Sequence, residues 1–124
     1  MASHCNASGK QARVAQRRAA AQALRDAAFW TESVVAEWMA LRTQMFAWLE
    51  ARKIAYQGTQ DAIVSTLRQL GPSEAATDLI FLYHVATLAE WDEDFAINEH
   101  QAIEVQGIGG RIAQAMLTNV GGNR

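Results

Sequence analysis

Between Trp30 and Leu49 the chain carries three of its four tryptophans and two of its four methionines, with no glycine or proline. Laid out at about 100° per residue, the stretch divides into two halves. Trp30, Val34, Val35, Trp38, Met39, Leu41, Met45, Phe46, Trp48 and Leu49 fall on one side of the circumference. Glu32, Ser33, Ala36, Glu37, Ala40, Thr43, Gln44, Ala47, Glu50 and Ala51 fill the other. Within the apolar half, Val34, Trp38, Leu41, Met45 and Trp48 alternate spacings of four and three, the rhythm of a coiled-coil seam. A second row, Val35, Met39, Phe46 and Leu49, runs beside it. So wide a sector exceeds one two-stranded seam and calls for burial against two neighbours. Burying each large side chain contributes roughly 1.5–3 kcal/mol, so this face carries much of the stability of a small domain.

A chain of 124 residues is long enough for one domain with a core of its own. Abundant alanine and a single proline favour helix over sheet. The lone Cys5 excludes an intrachain disulfide framework, and its neighbour His4 is too little for a zinc site. No apolar secretory segment opens the chain, although its arginine- and alanine-rich start loosely matches an organellar presequence. The longest apolar run, Leu79 to Ala89, contains His84 and falls short of the ~20 residues a membrane span needs. The expectation is a soluble protein, cytoplasmic or within an intracellular or viral assembly, not secreted.

In chain order, residues 1–9 are small and polar and are expected to form an arm that is disordered unless a partner orders it. From Lys10 no breaker appears before Gly58, which predicts a helix over about 10–57. If its apolar face runs unbroken from Ala20 to Tyr56, it makes a rod of roughly 55 Å. Phe29 and Ile54 fall out of phase with that face, so either they meet a different partner or the helix bends near them. A short helix over 59–70 follows, stopped by Gly71-Pro72, with Ser73 as the next cap. From Ser73 the pattern is apolar nearly all round through Leu79, Ile80, Phe81, Leu82, Tyr83, Val85 and Leu88, which predicts a centrally buried helix. His84 is expected as a hydrogen-bonded core histidine. That helix is taken to run over about 73–106, with its end either helical or extended at Ile103-Glu104-Val105. Gly107 and Gly109-Gly110 read as a hinge, followed by a helix over 111–119 and a loose 121–124 tail. The predicted fold is all-α with no sheet. It is either a long antiparallel helical hairpin or a small helical bundle with short extra helices, in one domain over 10–120.

Charge is uneven. Lys10, Arg13, Arg17, Arg18 and Arg25 precede the first acid, while Glu90, Asp92, Glu93, Asp94, Glu99 and Glu104 crowd the carboxy-terminal half. The basic set is a candidate arm for nucleic acid, but no aromatic residues alternate with it and no DNA-binding spacing is present. The preferred reading is that the two halves face and neutralise each other. Arg42 interrupts the apolar sector and predicts a buried ion pair with Glu90, Asp92, Glu93 or Asp94; its alternative is a stem packed on Trp38 or Phe46 with the head in water. His100 and Glu104 share a helix face as a surface pair. No Glu-x-x-His pair, catalytic spacing or phosphate loop is present, and neither metal nor cofactor nor small-molecule ligand is expected.

These features point to a non-enzymatic helical protein that packs against itself or a larger complex, for instance a virion or multisubunit assembly. Val35, Met39, Arg42, Phe46 and Leu49 form the candidate interface. Two alternatives stand beside it: a regulator or inhibitor acting on nucleic acid or its enzymes through the basic arm, and a helical ligand carrier or enzyme subunit.

Overall fold

In the computed structural model the described residues are 2–55, 59–70 and 73–122, and they contain helices and no strand. The order is α1 (Ala2–Asp26), α2 (Trp30–Ala51), α3 (Gln60–Leu70), α4 (Ser73–Trp91) and α5 (Glu99–Gly122). This is an all-α small helical bundle. The stop at Gly58 and the Gly71-Pro72 punctuation lie outside the described residues.

The long first helix is corrected in two places, by the same device. At its first break the Phe29 N–H donates to the Leu24 carbonyl at 2.8 Å and the Ala28 N–H to the Arg25 carbonyl at 3.0 Å. At its second, the Ile54 N–H donates to Leu49 at 3.0 Å and the Lys53 N–H to Glu50 at 3.1 Å. These nested bonds are Schellman caps, which satisfy the last carbonyls of a helix through one left-handed residue. That residue is usually glycine, but here it is Ala28 at φ 66° and Lys53 at φ 59°. Without glycine the sequence shows no stop. Phe29 and Ile54, the two residues out of phase with the expected rod, are the residues that follow each left-handed turn. The chain therefore folds back at 27–29, and α1 lies antiparallel on α2. The hairpin between consecutive helices is α1–α2, and α2 packs on its other side against α4 and α5.

Helix α1 begins at Ala2, so the backbone expected as a disordered arm is helical from there. The predicted helix over 73–106 also divides. Past Trp91, the Asp94 N–H donates to Asp92 Oδ1 at 3.0 Å and the Phe95 N–H to the Asp92 carbonyl at 3.0 Å, which turns the chain. Helix α5 then starts with a reciprocal cap: Asn98 N–H donates to Gln101 Oε1, and Gln101 N–H to Asn98 Oδ1, each at 2.9 Å. Such a box satisfies two donors that the first turn leaves without helical partners. From there α5 passes through Gly107, Gly109 and Gly110 without a hinge. Each glycine costs about 1 kcal/mol in a helix. Burial of Ala102, Val105, Ile108, Ile112 and Met116 outweighs that cost.

Helix α2 is the hub, packed by α1, α3, α4 and α5. Its seam row is buried as expected, and Leu41, Met45, Leu49, Leu79, Leu82 and Ile112 are the largest side chains fully enclosed. Trp38 stacks against Tyr83 with ring centroids 5.4 Å apart. Trp48 donates from Nε1 to the Met116 carbonyl at 3.1 Å, and the Ile97 N–H donates to Thr31 Oγ1 at 3.0 Å.

Tyr83 also ties α4 to α3 by donating its phenol to Asp61 Oδ1 at 2.8 Å. That hydrogen bond, then burial and the Asp61 charge, raises the phenol above its ordinary value. A raised value means that the stabilisation is complete below the unfolded-state titration near pH 10 and is lost as pH climbs through the folded value. In an absorbance titration of the phenolate, Tyr83 should ionise above pH ~10. Tyr83→Phe should remove this late wave and abolish its share of the alkaline loss of stability. A Tyr83 wave at or below the ordinary position would refute the tie.

Candidate interaction surface

The face of α2 that the sequence assigns to solvent is the face on which α1 lies. Ser33, Glu37, Ala40 and Thr43 are buried there, opposite the fully buried Ala21 and the basic residues of α1. The Arg25 guanidinium meets Glu37 Oε1 at 3.1 Å, with side-chain exposures of only 8% and 3%. Arg18 approaches the other oxygen, Oε2, at 3.5 Å and donates to Gln44 Oε1 at 2.6 Å. Arg17 donates to Thr43 Oγ1 at 2.9 Å, and Lys10 meets Glu50 at 3.3 Å. Burial, then Arg13 and Arg42, pulls the Arg17 guanidinium below its ordinary value. From the opposite side α5 comes so close that a Cβ on Gly109 would lie 2.9 Å from Glu37 Oε2. Glu37 is therefore held between α1 and α5, and Arg25–Glu37 is the buried ion pair among the described residues.

Of the candidate basic arm, Lys10, Arg17, Arg18 and Arg25 thus reach α2, and Arg13 is exposed. Neutralisation is internal, but it comes from Glu37 and Glu50 rather than from the acidic carboxy-terminal half. The proposed pairing of Arg42 with Glu90, Asp92, Glu93 or Asp94 is corrected by register. The Thr31–Ile97 bond and the Trp38–Tyr83 stack set the end of α4 level with the start of α2. Arg42 stands roughly 16 Å further along at 1.5 Å per residue. Arg42 itself is half-buried, as are Val35, Met39 and Phe46, whereas Leu49 is part of the core. The candidate interface row is thus partly covered.

Among the described residues, an apolar row is left open on α4. Along its outer side run Thr77, Phe81, His84, Leu88 and Trp91, all exposed and again spaced four, three, four, three. Trp91 is 77% exposed, Phe81 48% and Leu88 44%. The sequence predicts burial of Phe81, His84 and Leu88. Instead α2, α3 and α5 cover the other sides of α4, and no fourth neighbour among the described residues covers this one. His84 packs its ring near Tyr83, with centroids 5.8 Å apart, but faces outward. Glu90, Asp92, Glu93 and Asp94 are exposed around Trp91, so the stripe ends in concentrated negative charge. The sequence shows a helix apolar nearly all round, but its place at the edge of the bundle, which leaves one side bare, comes from the tertiary structure.

A groove of about 420 Å³ lies between α1, α2 and α5, floored by Val14, Ala47, Trp48 and Met116 with Arg18 at its edge. Its polar edge is engaged, because Arg18 binds Gln44 and Glu37 and Trp48 Nε1 binds Met116. No group of His, Cys, Asp or Glu among the described residues is arranged to hold a metal ion. No helix among them is long and apolar enough to cross a membrane. Compared with known proteins, the chain matches no family model and no curated sequence.

Proposed function

We infer that this chain is a non-enzymatic assembly protein that acts by packing the outer side of α4 against a helix of a partner protein. The observation that supports this is the row Phe81, Leu88 and Trp91, exposed at coiled-coil spacing on a helix whose other three sides are covered. Exposed apolar rows on small domains mark interaction sites, and the exposed tryptophan that ends this one is of the residue type enriched in binding hot spots. The carboxylates around Trp91 select the partner's chemistry: an amphipathic helix with an apolar ridge and basic edges. The basic residues of α1 favour nucleic acid less, since four of them are engaged by α2.

The test uses two helical peptides with the same leucine ridge, one edged by lysine and one by glutamate, each carrying a fluorescent label whose anisotropy is followed as the full chain is titrated in. The lysine-edged peptide should bind and should weaken as salt rises. Phe81→Glu with Trp91→Glu should reduce its affinity by roughly 100-fold or more while leaving the helical circular dichroism unchanged. Equal binding of both peptides, or undiminished binding by the double variant, would overturn the reading.

A further inference from the structure

The turn between α1 and α2 contradicts the local preferences of the residues that make it. Ala27 and Ala28 are the strongest helix formers known, yet Ala28 sits at φ 66°, a region costly for any side chain with a Cβ. The N-cap of α2, Phe29, offers no side-chain hydrogen bond to the first turn and is itself exposed. Locally the reversal is held only by the two Schellman hydrogen bonds, Phe29 N–H to Leu24 and Ala28 N–H to Arg25, which a continuous helix would replace with its own. Otherwise it is held at a distance, by the contacts of α1 on α2: Arg25 with Glu37, Arg18 with Gln44, Arg17 with Thr43 and Lys10 with Glu50. Those contacts are polar and directional, and each requires only that some copy of α1 lie in this register on some copy of α2. Short hinges under strain are the circumstance in which a helix is exchanged between copies, because the exchanged form keeps every native contact and relieves the hinge.

We propose that this chain forms a domain-swapped dimer in which the hinge at 27–29 opens and α1 of each copy packs on α2 of the other. The partner is a second copy of the chain, and the interface is the α1–α2 surface already described, made in trans. The exchange does not depend on the α4 face. Opening the hinge lets Ala27 and Ala28 rejoin a helical path, and two left-handed alanines are relieved per dimer. The balance between closed monomer and exchanged dimer is therefore set at residue 28. Glycine there makes the closed turn easy and weakens the open helix; a β-branched residue makes the closed turn harder.

Light scattering on refolded protein over a range of concentrations should find a dimer in the unaltered chain. Ala28→Gly should lower the dimerisation constant by about tenfold or more, and Ala28→Val should raise it. To separate exchange from pairing through another face, Arg18→Cys and Gln44→Cys are introduced together with Cys5→Ser, and the protein is oxidised at a concentration where it is dimeric. Exchange gives a covalent dimer on a non-reducing denaturing gel. A dimer that oxidises only to covalent monomers holds α1 in cis and overturns the proposal. So does a chain that stays monomeric as both the unaltered protein and Ala28→Val. Should Ala28→Val fail to fold, the cysteine pair decides alone.

Discussion

Replacing Glu37 by alanine should destabilise the protein by about 3–5 kcal/mol in chemical denaturation, because it leaves the Arg25 charge buried without its carboxylate. Arg25 and Glu37 are nearly inaccessible to water, so the loss is the penalty of an uncompensated ion rather than the net worth of the pair. Replacing both together, Arg25→Met with Glu37→Leu, should therefore cost far less than either charge removed alone. Arg18, one-third exposed on the other oxygen, should matter less; Arg18→Ala is expected to cost about 1 kcal/mol or less. Gly109 gives a sharper reading of the same site. With Glu37 in place, Gly109→Ala drives a methyl to 2.9 Å from a carboxylate oxygen that Arg18 holds, and overpacking of this kind costs about 1–3 kcal/mol. In the Glu37→Ala background the obstacle is gone, and the same change should stabilise by about 1 kcal/mol through helix propensity. A sign that does not reverse would mean that α5 does not rest on Glu37.

The second large effect separates two leucines on one helix. Leu82 is fully enclosed by the core, whereas Leu88 is 44% exposed. Leu82→Ala should cost about 2–5 kcal/mol, the range for a buried leucine that leaves a cavity. Leu88→Ala should cost under about 1 kcal/mol, as surface substitutions do. Thermal melts of the two variants measure this directly. Similar losses would mean that a further chain already covers the outer side of α4 in solution. The contrast also divides stability from recognition: Leu82 maintains the bundle, and Leu88 belongs to the surface proposed to meet a partner.

Much of the fold was legible before the structure. The seam of Val34, Trp38, Leu41, Met45 and Trp48 was readable because helical periodicity is a local property, and each of these residues is buried. The short helix ending before Gly71 was readable for the same reason. The breaks at 27–29 and 52–54 showed only as Phe29 and Ile54 falling out of phase with the helix, because both caps use a left-handed residue other than glycine. The start of α5 carries a legible signal, Asn98 with Gln101, set within a weak periodic pattern. The glycines at 107, 109 and 110 misled in the opposite direction, since packing on α2 overrode their propensity.

What the sequence by itself determined is the helical character of the chain and the identity of its central face, because both follow from spacing along one helix. Only the tertiary structure decided which helix lies on which. Once the chain folds back at Ala28, the polar side of Trp30–Leu49 becomes an interior surface holding Arg25–Glu37, and Arg42 is carried away from the acids expected to meet it. With three sides of α4 covered by α2, α3 and α5, the fourth is left bare. A helix can record in its sequence that it has an apolar side. It cannot record how many neighbours will arrive to cover it, because that number depends on turns made elsewhere in the chain.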